Sequence, residues 1–199
     1  QWRWLAAMMG LPFIPSRNLL GTDTGNYSSC KVVMDPFTHK PINLIPAAYP
    51  DVAFIHVHRC DVYGNVQIDR ILVEDFELSR CARRLIITAE EIVENEFIRR
   101  EPWKTSIPFF VVDAVVRILF DSHPCEMPGM YYYDEDHISE WLTLSKTAEQ
   151  TDEYLQKYVF GVDDFEGYLE LCGGVKRLNY LKKREFLREP MTAPWRKLK

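Results

Sequence analysis

Pro50 to Ile68 read PDVAFIHVHRCDVYGNVQI, and this stretch decides the fold. The apolar run from Val52 to Val57 ends in a polar mouth, His56-Val57-His58-Arg59. Asp61-Val62-Tyr63-Gly64-Asn65 then forms a turn, and Val66-Gln67-Ile68 begins another strand. A short run rich in Val, Ile and Phe, bounded by Pro50 and Gly64-Asn65, reads as a buried strand feeding a tight reversal. Polar groups gathered at the end of such a strand are where α/β proteins usually place ligands.

Working outward, Trp2 to Met9 reads as an apolar helix that stops at Gly10, followed by an extended Leu11 to Pro15 braced by two prolines. Ser16 to Thr24 is a loop with Gly21 and several hydroxyls. Asp35 to Pro46 is a proline-punctuated connection with a short strand at Ile42 to Ile45. Glu74 to Arg84 has helical spacing, with Phe76, Leu78, Cys81 and Ala82 as its buried stripe. Leu85 to Thr88 reads as a second buried strand ending in Ala89-Glu90-Glu91. Ile92 and Phe97 lie in short helix or irregular structure, and Phe109 to Leu119 is a further strand region interrupted by Asp113. Strand, helix, strand and a further strand predict an α/β open sheet, mainly parallel and flanked by helices.

After Pro128-Gly129 the character changes. Asp136 reads as the N-cap of a helix through Ile138, Trp141 and Leu142, and Thr151–Tyr158 and Phe165–Cys172 as two more helices, the second stopped by Gly173-Gly174. The tail from residue 176 to 199 is basic and is expected to wrap a surface. The 199 residues are read as a single domain with this appendage.

Composition narrows the function. A hydrophobic content of 47% with 13% aromatics is enough for a core, and a net charge of −5 argues against a nucleic-acid partner. No apolar run approaches the roughly 20 residues that cross a bilayer, so no membrane association is expected. The five cysteines are scattered with no CxxC pair, which reads as reduced thiols in a cytoplasmic protein. The chain opens on Gln1 and goes directly into an apolar helix without a lead-in, so it is expected to be the C-terminal two thirds of a longer subunit.

His56 and His58, two apart, share a strand face, but a metal site needs at least a third ligand and no nearby motif supplies one. No metal is expected. Glu90-Glu91 could offer a general base; exposure, or capping of the next helix, is the preferred reading. Asp121-Ser122-His123-Pro124 is not a nucleophile motif, because triad members meet in space and there is no GxSxG elbow. Gly21-Thr22-Asp23-Thr24-Gly25 lacks the lysine and the spacing of a P-loop, yet its amides and hydroxyls could meet a pantetheine or a carboxylate. Tyr131 to Tyr133 reads equally as a lid or subunit contact and as a packed turn.

Eight collinear segments together resemble the A (alpha) subunits of family I CoA-transferases, nearest to the glutaconate CoA-transferase type. They are LAAMMGLPFIPSRNLLGTD, DPF, PDVAFIHVHRCDVYGNVQI, LIITAEEIV, IRREP, VDAVV, SHPCEMPGMYYYDEDHISEWL and DEYLQKYVFGVDDFEGYLELCGG. The resemblance implies an open α/β fold in an A–B hetero-oligomer. It implies transfer of CoA between an acyl-CoA and a carboxylate, with a dicarboxylate as one option. The transfer passes through a glutamyl-CoA thioester whose glutamate sits on the B (beta) subunit. No residue of this chain is then the nucleophile, and no cofactor is needed beyond the coenzyme A thioester substrate.

Two departures stand out. The alpha subunits of the family carry a preceding region with a glycine-rich segment and serines facing the site. The family's usual glycines are also replaced at Arg70 and at Asp121-Ser122. Relatives on the same fold include ring-opening hydrolases of CoA thioesters. The alternatives are therefore one chain of such a hydrolase, or a non-catalytic stabilising partner. Under the resemblance, Ser16, Arg17, Gly21, Thr22 and His58 are the residues expected near the acyl or CoA site. Arg17 suits a free carboxylate because a guanidinium matches one in bidentate fashion; a structural ion pair is the equal alternative.

Overall fold

The computed structural model describes residues 1–186. Two compact units make up the chain, Gln1–Asp121 and Ser122 onward, and the change of character read after Pro128-Gly129 falls just inside the second. The first unit runs α1 (Trp2–Met8), β1 (Phe13–Ser16), a single turn α2 (Asp23–Asn26), β2 (Lys31–Met34) and β3 (Pro41–Pro46). It continues with β4 (Ala53–Asp61), β5 (Val66–Gln67), α3 (Asp75–Cys81), β6 (Leu85–Val93), α4 (Asn95–Arg100), β7 (Thr105–Ile107) and β8 (Ala114–Arg117).

Five strands form one sheet in the order β7-β5-β4-β6-β8. β4 and β6 pair in parallel from Ala53↔Leu85 to Asp61↔Val93, and β8 joins β6 in parallel. β5 runs antiparallel to both β4 and β7, so the sheet is mixed around a parallel centre. Parallel neighbours need a crossover, which α3 supplies. Ala53, Ile55, Val57, Leu85, Ile87 and Ala89 project from one face into the core, where Leu78 and Ala82 pack against them. Each large apolar side chain buried there contributes roughly 1.5–3 kcal/mol.

Several expectations need correction. The strand beginning at Leu85 does not stop at Thr88 but runs through Glu90 and Glu91 to Val93, because β4 is long enough to pair with it throughout. Phe76 leaves the buried stripe; it is 41% exposed, and the Arg80 guanidinium lies 3.6 Å over its ring. The region read as strand from Phe109 to Leu119 is strand only at Ala114–Arg117; Phe109–Val111 is a 3-10 turn, and the boundary is set by Asp113. Its carboxylate accepts the Leu85 amide at 2.8 Å and its own amide donates to the Leu85 carbonyl, which satisfies the start of β6. A second sheet, β1-β3-β2, is antiparallel. Its outer strand β2 leaves no pattern in the sequence, because every residue of it is exposed.

The turn after β4 is held by one carboxylate. Asp61, fully buried, accepts the amides of Tyr63 and Asn65 and the side-chain amides of Asn65 and Asn95 at 2.7–3.0 Å. Burial opposes its ionisation, but these bonds outweigh it and hold the carboxyl below its usual range. Gly64 completes the turn at φ +97°, where a Cβ would stand 2.9 Å from two carbons of Val112.

The second unit is helical: α5 (Glu135–Leu144), α6 (Ala148–Leu155) followed by a π turn at Gln156–Phe160, α7 (Phe165–Leu171) and α8 (Gly174–Phe186). The cap of α5 is Asp134 rather than Asp136, with its carboxylate on the His137 amide at 3.1 Å. Tyr131 is packed, 1% exposed, and its hydroxyl accepts the Ser122 amide. The basic tail begins inside α8; its remainder, 187–199, lies outside the described residues.

Gly64→Ala is expected to lower the urea-unfolding free energy by about 2–4 kcal/mol, through backbone strain and the clash with Val112. Adding Val112→Ala should recover part of that loss. Two losses that simply add would contradict the steric account.

Candidate functional site

The loop after β1 is built by short-range hydrogen bonds. Ser16 Oγ accepts the Asn18 amide at 3.0 Å, and Thr22 caps α2 by accepting the Gly25 amide while its hydroxyl donates to the Leu19 carbonyl. Leu19 and Gly21 take left-handed conformations, φ +67° and +72°. Asn43 of β3, 2% exposed, donates its side-chain amide to the Asn18 carbonyl at 2.8 Å and fastens the loop to the sheet.

Facing this loop is the turn between β2 and β3. Asp35 Oδ1 accepts the Phe37 amide, Oδ2 accepts the Thr38 hydroxyl, and the Asp35 amide donates to the Lys40 carbonyl. Thr38 and Phe37 hold the Asp35 carboxyl below the usual range, with a smaller effect from Arg17. Between loop and turn lies an open cavity of about 590 Å³, lined by Arg17, Leu20, Gly21, Val32, Lys40 and Pro41.

The structure thus brings Arg17 and Gly21 to one cavity. Ser16, the last residue of β1, accepts the Asn18 amide at the start of the same loop, and the Thr22 hydroxyl both donates and accepts within it. His58 lies elsewhere, on β4, 3% exposed, with Nδ1 accepting the Asp69 amide at 3.2 Å. Lys40 carries no signal in the sequence. Only the pairing of β2 with β3 places it at the cavity, and nothing local in DPFTHK announces that pairing.

A second cluster lies on the face of the five-stranded sheet opposite the core. His56 pairs across the register with Thr88, its Nδ1 2.9 Å from the Thr88 hydroxyl and its Nε2 3.0 Å from Glu90 Oε1. Glu90 Oε1 also accepts the amide of Phe120 at 2.8 Å, a residue at φ +63°. Asp121 comes within 3.6 Å of His56 Nδ1. Glu90 is therefore buried and bonded, neither exposed nor capping a helix, while Glu91 is exposed. Among the described residues no three His, Cys, Asp or Glu side chains gather into a metal-ligand set.

The helical unit has its own polar centre. His123 meets Tyr168 through Nδ1 at 2.7 Å and Asp134 through Nε2 at 3.2 Å, and Arg177 pairs with both Asp134 and Asp136. His137 meets the Tyr154 hydroxyl at 2.6 Å and the Cys172 thiol at 3.7 Å. Burial pushes Cys172 up to about 11, so this thiol is not an activated nucleophile. Burial also lowers both histidines, His123 against the pull of Asp134 and His137 with help from His123.

Comparison with known proteins then fixes the family. The Coenzyme A transferase family model matches residues 1–117, more than half of the chain. The chain belongs to the Coenzyme A transferase family. It is 61% identical over 196 residues to an uncharacterized protein of Archaeoglobus fulgidus, covering 98% of this chain and 44% of that one. The A subunit of glutaconate CoA-transferase from Acidaminococcus fermentans is 34% identical over 193 residues, covering 88% of this chain and 60% of that one. The crystal structure of glutaconate coenzyme A-transferase from that organism superposes with a TM-score of 0.82 at 31% identity, covering 90% of this chain and 62% of that one. A variant of the decarboxylase AibA/AibB gives a TM-score of 0.60, also at 31% identity, covering 77% of this chain and 57% of that one.

The chain therefore spans roughly half to three fifths of the length of these curated relatives. The α/β fold and the likeness to the alpha subunits of CoA-transferases, both expected from sequence, are thereby established. No helix among the described residues is long and apolar enough to cross a membrane.

The depressed histidines give a pH dependence of known sign. A histidine whose folded value lies below about 6.5 takes up protons more readily when unfolded, so stability is intact above that pH and falls as the pH drops below it. The unfolding midpoint of the helical signal in far-UV circular dichroism should fall between about pH 7 and pH 5. It should fall less in His137→Gln, and an unchanged pH dependence in that variant would contradict the assignment.

Proposed function

We propose that this chain is an alpha-type component of a heteromeric CoA-transferase, moving CoA between an acyl-CoA and a carboxylate. The intermediate is a glutamyl-CoA thioester on a beta-type partner, and the assembly works in the cytoplasm. The observation that carries this reading is the likeness to glutaconate CoA-transferase, in sequence over 88% of the chain and in fold at a TM-score of 0.82.

The chemistry of the cavity agrees. A carboxylate attacking a thioester carbonyl builds negative charge on oxygen and releases a thiolate, so the reaction calls for donors and cations near the acyl group and a separate nucleophile. The cavity has Arg17 and Lys40 and no carboxylate among its lining residues. Glu90, a buried carboxylate of this unit, already accepts from Phe120 and lies against His56, so it serves the sheet rather than the thioester. The nucleophile then comes from the partner, while this chain supplies a wall and charge for the acyl or CoA moiety.

Co-expression with a beta-like chain carrying a candidate glutamate is expected to give a stable complex. That complex should form acetyl-CoA from an acyl-CoA and acetate. Free CoA with the free acid would replace the transferase by a thioester hydrolase, and a ring-opened acid still bearing its CoA would replace it by a C–C hydrolase. A complex with no turnover would leave this chain a stabilising partner.

A further inference from the structure

The feature that the family reading leaves unused is Lys40. It lines the same cavity as Arg17, on the turn that faces the Arg17 loop, with Leu20, Val32 and Pro41 as the apolar part of the wall. We infer that Arg17 and Lys40 form a two-cation subsite for an anionic group carried on an apolar stem. The inference rests on the transfer reading for its biological ligand and on the cavity geometry for its existence.

Three observations support it. Among the described residues, neither the Arg17 nor the Lys40 side chain has a hydrogen-bonded or ion-paired carboxylate, although acids outnumber bases in the chain by 29 to 24. The acid that feels Arg17, Asp35, has its carboxylate engaged by the Phe37 amide and the Thr38 hydroxyl, so it organises the turn instead of quenching the cation. Both cations also stand on braced backbone. The Arg17 loop is tied to β3 by the buried Asn43, and the Lys40 turn is closed by Asp35. Braced backbone lowers the ordering cost of holding two like charges beside one anion.

The cavity volume is within the usual range for small-molecule sites, and Val32, 63% exposed, leaves an apolar strip for a methylene stem. A guanidinium and an ammonium together favour a carboxylate or a phosphate. In a CoA-transfer reaction such a group has two sources, the free carboxylate of a dicarboxylic acyl group or a phosphate of CoA. The shared chemistry is an anion on a flexible, partly apolar chain.

Calorimetric titration of the full chain with glutarate, butyrate, CoA and 3′-dephospho-CoA separates these sources. Arg17→Ala and Lys40→Ala are each expected to weaken the binding probe roughly tenfold, an effect reduced by added salt, while Lys40→Arg keeps most of the affinity. Arg83→Ala, which removes a surface cation outside the cavity, should change nothing. Loss confined to glutarate, with butyrate weak throughout, assigns the subsite to an acyl carboxylate. Loss confined to CoA, or to CoA over its dephospho form, assigns it to a phosphate.

If no probe binds the wild-type chain, or if both alanine variants bind like wild type, the subsite is overturned. Both side chains are exposed, so misfolding is not expected, and unchanged circular dichroism checks this. The two readings fail separately. Transfer with an unchanged KM in the double variant removes the subsite and leaves the transferase. Probe binding without any transfer removes the transferase and leaves the subsite.

Discussion

The parallel pairing of β4 with β6 is the constraint on which the rest of the first unit depends. It sends Ala53, Ile55 and Val57 to the same face as Leu85, Ile87 and Ala89, and that shared face is the core. The opposite face receives His56 beside Thr88 and Glu90, so the register that builds the core also builds the polar cluster. A slip of one residue would exchange the two faces, burying Phe54 and exposing Ile55. The Asp61 turn prevents it by fixing where β4 ends, and its bond from Asn95 ties that end to the segment that follows β6.

The two sheets divide the work. The five-stranded sheet spends its polar groups on itself: Glu90 on His56 and Phe120, His58 on Asp69, and Asp61 on its own turn. The small antiparallel sheet spends its hydrogen bonds on bracing two loops and leaves Arg17 and Lys40 outward on a cavity. Rigid backbone under uncommitted charge is the arrangement a binding wall needs, whereas committed charge holds structure together. In the helical unit, His123, Asp134 and Arg177 follow the second pattern and hold the helix ends together.

Local chemistry announces some of this in the sequence and not the rest. The run Val52 to Val57, the Gly64-Asn65 reversal and the strand starting at Leu85 are legible because they depend on apolar content and turn residues alone. The extent of β6 and the burial of Glu90 are not, since each is set by a partner distant in sequence, β4 and Phe120. For Phe76 the partner, Arg80, is only four residues away, yet its guanidinium covers the ring without burying it. β2 has no alternation to detect, because both its faces meet solvent. Of the site residues named from resemblance, Arg17 and Gly21 share a cavity, and Lys40 becomes visible only once β2 and β3 are paired.

We propose that this chain shapes the site while a partner's glutamate does the covalent chemistry. The most direct test is intact-mass measurement of both chains after the complex has been treated with acyl-CoA and trapped with borohydride. The partner is expected to carry the modification at a glutamate and this chain to keep its unmodified mass. A modification mapped to this chain, at Glu90 or any other carboxylate, would contradict it.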